Sequence, residues 1–371
     1  MKKLFVTGVP VTGDGFTGRR KELSQIEYFL ENGQSAALVA PRRFGKTSLI
    51  LKALQKLQER GRYIADVDLF TIVNKEKLAE KIVENTLKNK KISSVITRIK
   101  KGVSQAFKNL QLKQVIEDYE VVLKFAEPGM DGDELLETAL DFPQKFAEKE
   151  KKDLFFFYDE FSEIEKLDGE RMVKMMRGKF QRHSHVCYIF AGSHESLMKD
   201  LFTREKSAFY KFARVISLGE IAFDDFSNYI REKFSQEGIF IPDESIKLIL
   251  DKTRGHPYYT QLLCGSVHYL VLGRKTTVDT GDIEEGYEDS LISERTYLEK
   301  TWEEFTTAQL ETLFRIINIG NGHLYSKNKK SGINIARSIK ALLLKGIIKK
   351  TGKGEYRIID PFFEEFLRRN Q

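Results

Sequence analysis

The segment Ala40-Pro41-Arg42-Arg43-Phe44-Gly45-Lys46-Thr47-Ser48 places a glycine, a lysine and two hydroxyls where they can hold a phosphate chain. Gly45 lets the backbone come close, and the N–H groups of Gly45, Lys46, Thr47 and Ser48 can point at phosphate oxygens. Lys46 is suited to bridging β- and γ-phosphates, and the Thr47 hydroxyl to ligating Mg2+. The first glycine of the G-x-x-x-x-G-K-[ST] pattern is replaced by Ala40, which is small enough for the turn. The competing reading is a helix-opening loop with no nucleotide role.

A phosphate loop needs an acid at the end of another buried strand, and Lys152-Asp153-Leu154-Phe155-Phe156-Phe157-Tyr158-Asp159-Glu160 supplies two. The aromatic run requires burial on both faces, so Asp159 should emerge at its carboxyl end, where ligands sit in open α/β sheets. Asp159 is then the expected metal ligand, and Glu160 the group that orients and polarises an attacking water. A third apolar run, Val186–Ala191, ends in Gly192-Ser193-His194-Glu195. Ser193 either caps the next helix or reports on a γ-phosphate, and the succession of strands favours the second role.

Other groups suggest no chemistry. His183, His185 and His194 have no cysteine or carboxylate at ligand spacing and read as surface histidines. Gly-x-Ser-x-Gly is missing, as is a Cys/His pair in a nucleophilic context. Cys187 and Cys264 sit in separate apolar surroundings, which excludes a disulfide scaffold and fits a reducing cytoplasm.

The positioning elements form an α/β pattern over roughly the first 220 residues. Apolar runs at 35–40, 63–69, 154–158, 186–191 and 215–218 predict strands; helices are predicted at 46–60, 169–183, 195–202 and 223–237. This alternation favours a parallel sheet covered by helices. A Lys/Glu-rich helical insertion spans about 74–150, broken by turn chemistry at Glu127–Asp133. Beyond residue 240 helices dominate, opened by Pro242-Asp243-Glu244 and by His256-Pro257, with an acid-rich helix at about 280–297. A helix capped by Thr306-Thr307-Ala308-Gln309 and a second at Ile333–Lys345 precede a hairpin of 346–350 and 356–359 across 351–355, the order of a winged helix. The domains read as 1–220, 221–300 and 301–371.

The 371 residues are 41% hydrophobic and 31% charged, which excludes a disordered or fibrous chain. No apolar run approaches the ~18–20 residues of a membrane span, and the first residues lack the apolar stretch of a signal peptide. The expected location is cytoplasmic, with no membrane partner. Residues 301–371 hold 13 Lys/Arg against 7 Asp/Glu, a net +6 of the chain's +7, and Lys88–Lys113 forms a second basic run. Such segregation suits a phosphate backbone, although solvated helix faces give the same pattern.

Taken in order, Phe16-Thr17-Gly18-Arg19-Arg20-Lys21-Glu22-Leu23, Pro41–Leu49, Tyr158-Asp159-Glu160-Phe161, Ala191-Gly192-Ser193, Gly255-His256-Pro257 and Asp360-Pro361-Phe362-Phe363 resemble the archaeal-type ATPases of the STAND, AAA-related branch of P-loop NTPases. The resemblance implies a P-loop core with a five-stranded parallel sheet, a helical lid and a C-terminal winged helix. It also implies that Phe16, Gly18 and Arg19 lie near adenine and ribose, that residues 41–48 hold ATP or ADP, and that His256 and Pro257 close over the nucleotide. Relatives often carry Tyr-Gly-Arg before the last core strand; here the residues are Tyr210-Lys211-Phe212-Ala213-Arg214, which leaves open whether Arg204, Arg214 or neither reaches a γ-phosphate, in cis or from a neighbour.

The expected function is an ATP-binding, slowly hydrolysing switch whose nucleotide state repositions the lid and winged helix. The alternatives are a DNA-binding winged-helix protein regulated by ATP and a scaffold for a protein partner or self-association.

Overall fold

The computed structural model describes residues 4–90, 131–319 and 334–371. Most of the basic run, the middle of the 74–150 insertion with Glu127–Met130, and Ile333 lie outside the described residues. The chain forms two compact units: residues 20–40 with 49–218, and residues 1–19, 41–48 and 219–371 together.

The first unit holds α1 (Arg20–Glu31), β1 (Ser35–Val39), most of α2 (Lys46–Glu59), β2 (Tyr63–Asp68), α3 (Lys75–Leu87), α4 (Gly132–Glu150), β3 (Leu154–Asp159), α5 (Glu165–Phe180), β4 (Val186–Gly192), α6 (Glu195–Thr203) and β5 (Ala213–Ser217). Its sheet runs β2-β3-β4-β1-β5, and every neighbouring pair is parallel. Covered parallel strands cannot show an exposed polar face, which explains the unbroken apolar runs of β1 and β3. One side of the sheet packs Phe156, Tyr158, Tyr188 and Phe190 against Phe161, Phe180 and Phe209.

Two elements depart from expectation here. β5 begins at Ala213 rather than Val215, because Ala213 and Arg214 pair with Ser35 and Ala36 of β1. Ahead of the helix expected from Gly169 lies an additional turn from Glu165, separated from it by the non-helical backbone of Asp168 and Gly169, where Gly169 takes φ 53° and Asp168 accepts from Lys75 Nζ at 2.6 Å.

The second unit comprises the N-terminal segment, the phosphate-loop residues and α7 (Phe223–Ser235), α8 (Asp243–Thr253), α9 (Pro257–Val271), α10 (Thr280–Glu303), α11 (Thr307–Ile319), α12 (Ile335–Leu344), β6 (Ile348–Gly352), β7 (Glu355–Ile358) and α13 (Pro361–Arg369). One apolar core runs through it, from Phe226 and Leu263 to Leu313, Leu342 and Leu367. An Asp279/Asp282 capping box starts α10, which continues past the expected end at Tyr297 to Glu303. No glycine or proline interrupts it after Gly286, and the expected domain boundary at 300 falls inside this helix. The hairpin turn is tighter than expected: β6 and β7 leave only Lys353-Gly354 between them, with Gly354 at φ 79°.

Candidate functional site

The phosphate-loop residues connect the carboxyl end of buried β1 to the first turn of α2. Ala40 has no positive φ, so the missing first glycine is not required by backbone geometry, whereas Gly45 at φ 81° uses its freedom. Lys46 is buried, its Nζ donating to the Pro41 carbonyl at 2.9 Å, and Ser48 Oγ accepts from Val11 N–H at 2.9 Å. Thr47 is half-buried on the same turn, Pro41 is half-buried, and Arg42 is exposed.

Arg43 behaves differently from its neighbours. Its backbone is left-handed at φ 65°. The guanidinium lies 4.2 Å from the Tyr258 ring centroid and 4.5 Å from that of Tyr297, and it donates to Glu294 at 2.7 Å. The other Glu294 oxygen accepts from the Tyr258 hydroxyl at 2.6 Å. Phe44, buried beside it, meets the His256 ring edge-on at 4.5 Å. Glu294, Tyr258 and Tyr297 were invisible to sequence reasoning: Glu294 stands 251 residues from Arg43 inside an ordinary acidic helix.

Arg19, expected beside adenine and ribose, is buried at φ 62° and donates to the carbonyls of Gly219 at 2.5 Å and Phe44 at 3.4 Å. Gly18 and Gly255 both crowd Ile221. A Cβ on Gly18 would meet the Ile221 side chain at 2.8 Å, and one on Gly255 would strike the Ile221 carbonyl at 2.5 Å. Phe16 is half-buried and closes a short turn on Gly13. His256 caps α9, its Nδ1 accepting from Tyr259 N–H, and Pro257 follows at the first helical position. Burial lowers the His256 pKa to about 3, so the ring is neutral.

At the carboxyl end of β3, Asp159 accepts from Glu160 N–H at 2.9 Å, and Glu160 itself is left-handed at φ 46°. One Glu160 oxygen takes both the backbone N–H and the hydroxyl of Ser193, which follows β4. The sheet therefore brings the expected water-orienting acid and the expected sensor together. Arg214 stands opposite Ala36 near the start of β5, bonded to Gln34, whereas Asp159 ends its strand at the opposite edge of the sheet. Arg204 is the exposed cap residue ending α6. Lys211 takes φ 56°.

His183 corrects a further expectation. It is not a surface residue: its side chain is 3% exposed and bonds the Tyr188 hydroxyl with Nδ1. Among the described residues no group of three or more His, Cys, Asp or Glu could hold a metal, and no helix is long and apolar enough to cross a membrane.

In the second unit, Lys349 and Arg357 of the ribbon both donate to Glu220. Against the upward push of burial, these cations hold the Glu220 pKa below its ordinary value. Asp360 caps α13 through the N–H groups of Phe362 and Phe363 and accepts from the Tyr259 hydroxyl. By contrast, Arg337, Lys340, Lys350 and Lys353 are exposed and have no acidic partner among the described residues.

The parallel sheet in 2-3-4-1-5 order, with a glycine-lysine loop leaving β1 and an acid ending β3, defines a P-loop nucleoside triphosphatase fold. Solved structures share that fold. A Walker-type ATPase of Pyrococcus abyssi superposes with TM-score 0.71 at 16% identity, covering 98% of this chain and 99% of that one. The ORC2 protein of Aeropyrum pernix, solved as ADPNP–ADP complexes, gives 0.60 at 10% identity over 95% and 93%. Cdc6p from Pyrobaculum aerophilum gives 0.52 at 13% over 99% and 97%. Residues 16–263 match a family described as an ATPase domain predominantly from Archaea, and the chain belongs to that family. It is an ATP-binding P-loop ATPase. The sequence matches none of the curated proteins.

Proposed function

We propose that this ATPase is a switch of the STAND branch, in which Mg·ATP and ADP favour different positions of the lid and C-terminal elements. The observation that carries the reading is Lys46, a buried cation on the first turn of the helix that follows a buried parallel strand. A lysine at such a helix start adds to the positive end of the helix dipole, and both favour a bound anion. In this reading Lys46 neutralises the β- and γ-phosphates. Thr47 and Asp159 offer hard oxygen donors of the kind magnesium takes, water completing its shell. Glu160 accepts the proton of the attacking water, and Ser193 holds Glu160 in place. His256 and Pro257 belong to a lid over residues 221–300, and residues 301–371 form a winged helix.

Switching requires that the γ-phosphate interact differently with the two arrangements. Hydrogen exchange of α9, α10 and α13 should therefore differ between protein saturated with a non-hydrolysable ATP analogue and protein saturated with ADP. Identical exchange in these helices would rule out the switch while leaving ATP hydrolysis standing.

A second reading, DNA binding by the winged helix, is favoured by four exposed cations without acidic partners among the described residues: Arg337, Lys340, Lys350 and Lys353. The ion pairs of Lys349 and Arg357 with Glu220 narrow that surface to part of the ribbon and α12.

A further inference from the structure

Two consecutive residues of the phosphate loop are held by helices far along the chain. Arg43 lies against the rings of Tyr258 of α9 and Tyr297 of α10, with its Nη1 on Glu294 of α10. Phe44 is buried against His256. Glu294 is itself only 8% exposed, and its two oxygens are divided between Arg43 and the Tyr258 hydroxyl. A carboxylate so shielded from water needs a cation, and removing that cation leaves an unpaired buried charge. The guanidinium thus commits two aromatic contacts and one donor to these helices, with 35% of the side chain still exposed.

We propose that Arg43 is a positioning residue, which fixes the conformation of the phosphate loop by clamping it to α10 through Tyr258, Tyr297 and Glu294, rather than a ligand of the nucleotide phosphates. The proposal rests on the reading that residues 41–48 bind ATP. Its basis is energetic: a turn of Arg43 toward phosphate would strand Glu294 and take the guanidinium away from both tyrosine rings. The left-handed backbone at Arg43, unfavourable for a residue with a Cβ, is stabilised by the same interactions. Because α10 continues to Glu303 and α11 begins at Thr307, the clamp also joins the loop to the helix that leads into the C-terminal elements.

The test is a comparison of Arg43→Lys, Glu294→Gln and Tyr258→Phe in the full-length chain, by ATPase kinetics, titration with a fluorescent ATP analogue and thermal melting. Arg43→Lys keeps the charge but removes the planar fork and stacking. It should raise KM and Kd about tenfold with kcat nearly unchanged, the pattern of weakened ground-state binding. Glu294→Gln should weaken binding in the same direction. Tyr258→Phe, which removes one hydroxyl from outside the loop, should raise KM about threefold and keeps the test decisive if the charge variants melt too low. A direct phosphate ligand predicts the opposite sign: Glu294→Gln would free the guanidinium and tighten ATP binding, and that result overturns the clamp. Wild-type KM in folded variants overturns it as well. Lys46→Ala separates the two levels. Undiminished binding there removes the phosphate reading and the clamp with it, whereas abolished binding there beside unaltered Arg43 and Glu294 variants overturns the clamp alone.

Discussion

Ser193 donates its backbone N–H and its hydroxyl to the same oxygen of Glu160, at 2.9 and 2.6 Å. An ionised carboxylate only accepts hydrogen bonds, so these two donors orient the group and leave its second oxygen for another partner. The residue that follows β4 therefore governs the acid that follows β3.

Removing the Ser193 hydroxyl should leave Glu160 less well oriented toward the attacking water without affecting ATP affinity. Ser193→Ala is expected to lower kcat about tenfold, in keeping with one charge-assisted hydrogen bond, while KM stays constant. Glu160→Gln, whose amide cannot take a proton, should lower kcat by roughly a hundredfold or more and retain ATP binding. Steady-state hydrolysis and nucleotide titration read both effects. Equal turnover in wild type and Glu160→Gln would remove Glu160 from the chemistry.

Lys46→Ala should abolish binding of a fluorescent ATP analogue, because the phosphate oxygens lose their buried cation. Thr47→Ala and chelation of magnesium should each suppress hydrolysis more than they suppress ADP binding, since the metal is needed at the γ-phosphate. Full activity in excess chelator would exclude the metal role of Thr47 and Asp159.

His256 gives the fold an acid-sensitive point. Burial lowers its pKa from 6.5 to about 3, so the folded state binds fewer protons than the unfolded chain between those values. Its stabilising contribution is complete above pH 6.5 and falls as pH drops toward 3, with a slope approaching ~1.4 kcal/mol per pH unit. His256→Asn keeps a capping side chain and removes the titration. Urea unfolding at pH 7, 5 and 4 should show a shallower decline of stability in the variant; parallel declines would refute the assignment.

On the ribbon, Lys350→Ala with Lys353→Ala should weaken affinity for any duplex. The plot of log affinity against log salt should flatten by about 0.9 for each phosphate that is no longer neutralised. Glu220→Gln should steepen it, because Lys349 and Arg357 lose their internal acid. Salt-independent behaviour of wild type and variants with duplex would exclude the DNA reading and leave the ATPase reading intact.

Lys211 takes φ 56°, a left-handed backbone that costs a residue with a Cβ. The strain relieved by Lys211→Gly, ~1–2 kcal/mol, exceeds the added flexibility of glycine, ~0.5–1 kcal/mol. A small rise in melting temperature is expected, and a fall would show that Lys211 makes a favourable interaction worth more than its strain.

The chemistry-bearing residues were legible because their constraints are local. A phosphate loop needs Gly45, Lys46 and Thr47 within three positions between a strand and a helix, and the acids Asp159 and Glu160 directly follow the apolar run of β3. Burial on both faces makes those strands apolar throughout, so their existence could be read one segment at a time. Strand order could not, since apolar runs carry no label for their neighbours; packing alone placed β4 between β3 and β1. Nor could spacing distinguish Arg42 from Arg43. Only the return of the chain 251 residues later set Glu294 and two tyrosines around Arg43. Glu220 likewise meets Lys349 and Arg357 across 129 and 137 residues. A charge finds its partner through the path of the whole chain, and no local pattern encodes that path.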